Sequence, residues 1–203
     1  MIPPTKNGLS AMVCVSAMQK SIRRGLEREA MEFACELIDT SKGFHSMVCK
    51  RLEVISHEDV DCISQPHIIP FVHTCVTQAM KYYDAERIGF SRLFIGNAIR
   101  LMARAKKSRE ADHFCLAVGL ASEQGHVPDV PDYAYDQHTL KGKQMGRGLD
   151  YFRKEAAKLV PAAKPDKYED EAYSRLADKM RSNPRTRKAA GKVPTLFDVE
   201  EDE

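Results

Sequence analysis

Apolar residues recur along much of this chain at spacings of three and four, the period of a helix buried on one face. Ala11, Val15, Met18 and Ile22 form the first such stripe, with Ser10 placed to cap it and Gly25 to end it. Leu26, Ala30, Phe33, Leu37 and Ile38 predict a second helix, stopped by Thr40-Ser41-Lys42-Gly43. A third is expected from about Phe44 to Ser56, with Met47, Val48, Leu52 and Ile55 inward. Pro66 suits the first turn of a fourth helix, whose stripe is broad: Ile68, Ile69, Val72, Cys75, Val76, Ala79, Met80 and Tyr83. A stripe that wide belongs to a central helix or to one that also covers a partner. A fifth helix spans about Gly89 to Ala105, carrying Phe90, Leu93, Phe94, Ile99, Leu101 and Met102. Ser108 can cap a sixth, with Ala111, Phe114, Val118 and Ala121 inward and Gly125 closing it. No segment alternates as a half-buried strand does, so the expected fold class is all-α, an array of helical hairpins.

From His126 to Gly148 the pattern changes. Val127-Pro128-Asp129-Val130-Pro131-Asp132 reads as an extended or turn-rich path, and a basic, glycine-bearing stretch follows at 141–148. A loop this long in a compact domain is functional or packs on its own aromatics, here Tyr133, Tyr135 and Tyr151. A short helix from about Leu149 to Val160 and a polar helix from about Tyr168 to Arg181 come next. Residues 181–192 carry five basic and no acidic side chains, and 198–203 carry five acidic and no basic ones. Such a tail is expected to be disordered, with 193–197 as an apolar island. The layout expected is an extension at 1–9, a helical domain at 10–161, and a polar helix with charged tail at 162–203.

Composition narrows the classes without choosing among them. Thirty-one Lys and Arg against 29 Asp and Glu give a net charge of +2, so no global field marks a nucleic-acid or membrane binder. Mean hydropathy is −0.43, and no apolar run approaches the ~20 residues of a membrane span. The opening residues lack the charged and apolar regions of a signal peptide. Six cysteines, at 14, 35, 49, 62, 75 and 115, stand at least thirteen residues apart, which fits neither a zinc site nor a disulfide scaffold. The expectation is a reducing cytoplasm, no metal and no cofactor.

Little catalytic chemistry is written in the chain. His57-Glu58-Asp59-Val60-Asp61 is the densest set of potential ligands, with His45 upstream, but no His-Glu-x-x-His accompanies it. These acids can equally pair with local Arg or cap the next turn. No nucleophile elbow places a Ser or Cys on a strained turn. Gly142-Lys143 has the ending of a phosphate loop, but Gln137 stands where its first Gly belongs and Gln144 where its hydroxyl belongs. What remains is that Lys141, Lys143 and Arg147, beside permissive glycines, are candidates to meet a phosphate or a DNA backbone. Arg100, Arg104, Lys106, Lys107 and Arg109 at one helix end, and Lys20, Arg23 and Arg24 at another, complement helix dipoles. They would form a basic patch if the two ends met.

Several segments carry a family resemblance. Ser16-Ala17-Met18-Gln19-Lys20-Ser21-Ile22-Arg23, followed by a second helix, resembles the helix pair that opens the C-terminal domain of the AAA+ replication-associated recombination ATPases, relatives of clamp loaders. Arg51-Leu52 through Ser56-His57-Glu58-Asp59-Val60 is similar to the family's Arg-Leu…Ser-Glu-Asp-(Ile/Val)-Gly segment. Gly89-Phe90 through Ala105-Lys106-Lys107-Ser108 resembles its Gly…Ala-Pro-Lys-Ser helix and turn. Val127-Pro128 through Asp136, Thr139, Lys143, Gly146, Gly148 and Tyr151 is similar to its Val-Pro…Thr…Lys…Gly-x-Gly-x-x-Tyr loop. The order holds from about Ser10 to Pro161. Asp61 departs from the family's Gly, Lys106 from its Pro, and no Walker motif stands in the sequence. The resemblance implies a tetramer-forming, collar-like helical domain working near replication forks, without its motor and without catalysis.

Three readings follow. The first is a non-catalytic oligomerisation and adaptor protein of DNA replication or recombination, a homo-oligomer, expected as a tetramer, that can assemble alone or with a full-length AAA+ ATPase. The second is a nucleic-acid-binding module that meets DNA through Lys141, Lys143 and Arg147. The third is an enzyme holding a divalent metal at His57, Glu58, Asp59 and Asp61. Within the tail, Thr195-Leu196-Phe197 resembles the Leu-Phe end of peptides that dock bacterial replication proteins on the sliding clamp, which makes Leu196 and Phe197 candidate docking residues.

Overall fold

The computed structural model describes residues 2–162 and 166–182. The candidate docking residues Leu196 and Phe197, and the tail around them, lie outside the described residues. The chain forms two units, Met1–His126 and Val127–Glu203, with the boundary where the hydrophobic pattern changes. Among the described residues the structure is helical, and the β-type pairings are two isolated bridges, Pro4 with Ser10 and Val60 with Lys107.

The first unit holds α1 (Ala11–Arg23), α2 (Glu27–Ile38), α3 (Lys42–Glu58), α4 (Ile68–Asp84), α5 (Ile88–Arg104) and α6 (Glu110–Glu123). Neighbours in sequence pack as hairpins, α1 on α2, α3 on α4 and, most extensively, α4 on α5. Their inward stripes meet in one core: Met18 and Ile22 of α1, Leu37 and Ile38 of α2, Val48, Leu52 and Ile55 of α3, Val72 of α4, and Ile95, Ile99 and Met102 of α5. Each such side chain contributes about 1.5–3 kcal/mol of transfer free energy. Gly25, at φ +75°, makes the left-handed turn that sends α1 back as α2. Residues 4–10, which take in most of the expected 1–9 extension, form a turn tied to α2: the Asn7 side-chain amide donates to Glu36 at 2.6 Å and Lys6 pairs with Asp39 at 3.0 Å.

Several expectations are corrected. Ser10 stands at the N-terminus of α1, but its hydroxyl makes no capping bond. The 40–43 stop is half a start: Ser41 accepts the Phe44 N–H at 3.2 Å and caps α3, so Lys42 and Gly43 belong to its first turn. Pro66 lies ahead of α4, and Pro70 occupies the first turn, where a missing N–H leaves no intrahelical bond unmade. The broad stripe of α4 is buried at Ile68, Val72, Cys75, Val76 and Ala79 between α3 and α5, whereas Met80 is 41% exposed.

The largest departure is α6. Ser108 accepts the Glu110 N–H at 3.1 Å near its start, yet none of its residues is buried. Phe114, expected inward, is 67% exposed and Val118 55%. The reason is topological: within the first unit, α6 packs on α3 alone, after the other five helices have closed the core.

The second unit holds a 3-10 turn (Asp132–Ala134), α7 (Leu140–Gln144), and α8 (Leu149–Tyr151), which runs into a π-helical turn (Phe152–Ala156). The helix expected to reach Val160 therefore ends with that turn. The polar helix forms as α9 (Glu169–Ser182).

Candidate functional site

The basic loop is built around a carboxylate that the sequence reading did not single out. Asp132 accepts two bonds from Arg147 Nη2, each 2.7 Å, one to each carboxylate oxygen. Arg147 Nη1 donates to the carbonyls of Asp132 at 2.7 Å and Tyr135 at 2.9 Å. The Tyr151 hydroxyl donates to Asp132 Oδ2 at 3.1 Å, and its ring lies 4.1 Å from the Arg147 guanidinium carbon. These contacts hold the Asp132 carboxyl below its usual pKa range, with the Arg147 hydrogen bond as the largest cause. Arg147 is thus a clamp that ties the two ends of the loop together, and its side chain is only 14% exposed.

The other two candidate cations sit on α7. Thr139 caps that helix by accepting the Gly142 N–H at 3.0 Å. Lys141 Nζ lies 4.0 Å from the Tyr135 ring centroid, while Lys143 is exposed and has no ion pair among the described residues. Two residues apart on a helix, Lys141 and Lys143 do not face one another. The three candidates share a loop without converging on one point. Of the expected aromatics, Tyr135 and Tyr151 pack within the loop and Tyr133 is 63% exposed.

The acidic cluster is split between two jobs. Asp59, 1% exposed, accepts from Arg23 Nε at 2.7 Å and Gln19 Nε2 at 2.9 Å. Glu58 accepts from Arg23 Nη2 and Arg109 Nη2, each at 3.0 Å. Asp61 instead closes its own turn, accepting the Ser64 N–H at 3.2 Å and hydroxyl at 2.6 Å; these bonds lower its pKa. His57 is exposed. Among the described residues no three His, Cys, Asp or Glu side chains are grouped to hold a metal ion.

The same place answers whether the basic helix ends meet. Arg23, ending α1, and Arg109, after α5, do come together, but around Glu58, so the charges cancel. The chain after α3 also pairs with the chain after α5: the Asp61 N–H donates to Lys106 O at 3.0 Å and the Ser108 N–H to Asp59 O at 3.2 Å. Lys107 turns back to donate to the carbonyls of Ala103 and Ala105, and burial lowers its pKa. The motif segments at 56–60 and 105–108 are therefore two sides of one joint. Gln19, Arg23 and Arg109 complete it from positions that no local spacing links to Asp59.

Two grooves mark the surface of the described residues. One of about 420 Å³ lies between α2 and α5, floored by Met31, Cys35 and Gly96 and rimmed by Glu27, Arg28 and Arg100. The other, of about 650 Å³, is lined by residues 146–151 and Ala177. No helix of the described residues is long and apolar enough to cross a membrane.

No family model matches the sequence. Over 151 residues it is 31% identical to Replication-associated recombination protein A of Bacillus subtilis (strain 168), an alignment that takes in 72% of this chain and 33% of that protein. The chain thus spans about a third of the length of the curated relative it matches. With the motif order and the all-helical fold, this makes the chain a distant relative of one region of that replication-associated recombination protein.

Proposed function

We propose that the chain is a non-catalytic oligomerisation and adaptor module of DNA replication or recombination. It assembles as a homo-oligomer, a tetramer in the reading that the resemblance implies, or joins a full-length ATPase of that family. The process is suggested by the name of its relative, and the oligomer by α6. That helix carries Phe114, Leu116, Val118 and Leu120, which are 67%, 57%, 55% and 44% exposed. Alternate positions on a helix point to opposite sides, so α6 is apolar all round, the pattern of a helix enclosed by others. Covering these four side chains would remove on the order of 400 Å² from water, roughly 10 kcal/mol gross per protomer, before association costs. Closed symmetric assemblies are the common way to supply such an enclosure.

Light scattering tests this. The wild-type chain is expected to run as a multiple of 22.9 kDa, and the pair Phe114→Asp with Leu116→Asp as a single chain with unchanged helicity. A wild-type monomer at tens of micromolar overturns self-assembly and leaves only the mixed assembly with a full-length ATPase. A second reading, DNA contact by the loop, rests on the exposure of Lys141 and Lys143. Changing both to Ala should then flatten the salt dependence of DNA binding, since fewer counterions are released.

A further inference from the structure

Where α4 turns into α5, three aromatic rings lie in one stack. The Tyr82 centroid is 5.3 Å from that of Phe90 and 5.5 Å from that of Phe94, with interplanar angles of 27° and 17°. This is the offset stack that ring quadrupoles favour. Arg87, in the turn, places its guanidinium carbon 4.3 Å from the Phe90 centroid and 5.5 Å from that of Tyr82. The turn fixes it there: Glu86 takes φ 57°, and the Arg87 N–H donates to Tyr82 O at 2.9 Å.

Phe94 anchors this stack against the core and Tyr82 is half-buried, but its outer end is open. Phe90 is 45% exposed, and Arg87 and Lys81 are exposed as well. Nor is it neutralised. Arg92, Arg100 and Arg104, farther along α5, are each paired with Asp39 or Glu27, whereas Arg87 and Lys81 have no ion pair among the described residues. The acids of the turn are Asp84, paired with Lys42, and Glu86.

We propose that the stack is a platform for single-stranded nucleic acid. A base extends it by lying against the Arg87–Phe90 face, and Arg87 and Lys81 meet the adjoining phosphates. Every base has a π-face that stacks on an aromatic ring or a guanidinium plane, so the contact is tolerant of sequence. The stack of three rings separates this surface from the loop lysines, of which Lys141 already lies against the Tyr135 ring, and it does not depend on the assembly of α6.

The test is fluorescence anisotropy with the full chain and a short fluorescein-labelled oligothymidine at low salt. Phe90→Ala and Arg87→Ala should each weaken binding about tenfold, the scale of losing one stacked base. Phe90→Tyr, which keeps a ring, should bind as wild type. An abasic strand of equal length should bind as weakly to wild type as oligothymidine does to Phe90→Ala. Absence of wild-type binding overturns the proposal, as does equal affinity for the abasic strand. Unchanged affinity in the variants also overturns it, and if the light-scattering mass falls at the same time, the stack is instead a protein contact.

Discussion

Replacing Gly142 by Ala should undo the basic loop while leaving the first unit intact. A Cβ on Gly142 would stand 1.8 Å from the Asp136 carbonyl oxygen, 2.5 Å from its carbon and 2.7 Å from its nitrogen. All three are backbone atoms, so no side-chain rotation relieves the clash and the 136–139 turn must move. That movement breaks the cap from Thr139 to the Gly142 N–H, 3.0 Å in length, and the Thr139 hydroxyl bond to Asp136 O at 3.1 Å. Overpacking of this kind costs about 1–3 kcal/mol and a lost cap about 1 kcal/mol. The change should therefore destabilise the loop by roughly 3 kcal/mol, enough to populate open forms of a local unit. Gly146→Ala, at φ +73°, meets no atom within 4 Å and should cost only about 1 kcal/mol for the left-handed backbone. Gly148→Ala, at φ −110° with open space, should be neutral. Hydrogen exchange read by mass spectrometry across residues 127–151 ranks the three. If Gly142→Ala protects those amides as well as Gly148→Ala does, the close approach of Asp136 is refuted.

Other substitutions probe the first unit. Arg23→Met leaves the 1%-exposed Asp59 short of its nearest cation and should cost about 3 kcal/mol in urea unfolding, partly recovered by adding Asp59→Asn; wild-type stability in the single variant would remove the ion pair from the joint. Buried His45 accepts or donates a 2.8 Å bond with the Ser91 hydroxyl and stacks on Tyr83 at 4.0 Å. Desolvation lowers its pKa, so folded protein favours the neutral ring and its contribution is full above about pH 6.5. That contribution is lost as pH falls below this value; thermal unfolding at descending pH should show a decline that His45→Gln flattens. Burial pushes the Cys49 thiol up to about 12, so a thiol reagent at pH 8 should spare Cys49 until unfolding. Exposed Cys115 on α6 should react faster in the Phe114→Asp, Leu116→Asp variant than in the assembled wild type, and equal rates would argue against burial of α6 between copies.

The helices of the first unit were legible because each has to bury one face in its own chain, which leaves a 3.6-residue trace in the sequence. Met18 and Ile22, or Leu52 and Ile55, need no distant partner to be recognised as inward. Their ends were less legible where one residue suits two jobs: Ser41 fits a stop for α2 as well as it fits the cap it provides to α3. The sites were harder for a different reason. Asp132 and Arg147 are fifteen residues apart across irregular backbone, and Asp59 draws its partners from α1 and from beyond α5. Neither separation is a helical or strand period, so only the fold makes the pairing visible. The motif segments at 56–60 and 105–108 marked the joint without disclosing that they form a single one.

The misreading of α6 has the most to say about function. Periodicity reports that a helix has an apolar face, and the sequence reading assigned that face, through Phe114 and Val118, to the chain's own core. The five preceding helices already bury Ile95, Ile99 and Met102 completely among themselves, so there is no room left for a sixth stripe. Its apolar residues also exceed what one face can hold, since Leu116 and Leu120 fall on the side of the helix opposite Phe114 and Val118. A soluble monomer would gain from polar residues at those positions. Four large apolar side chains on a helix that, within the first unit and among the described residues, packs on α3 alone are what the proposed cover by another chain would account for. The same pattern that misled the assignment within the protomer is thus what carries the proposal of assembly.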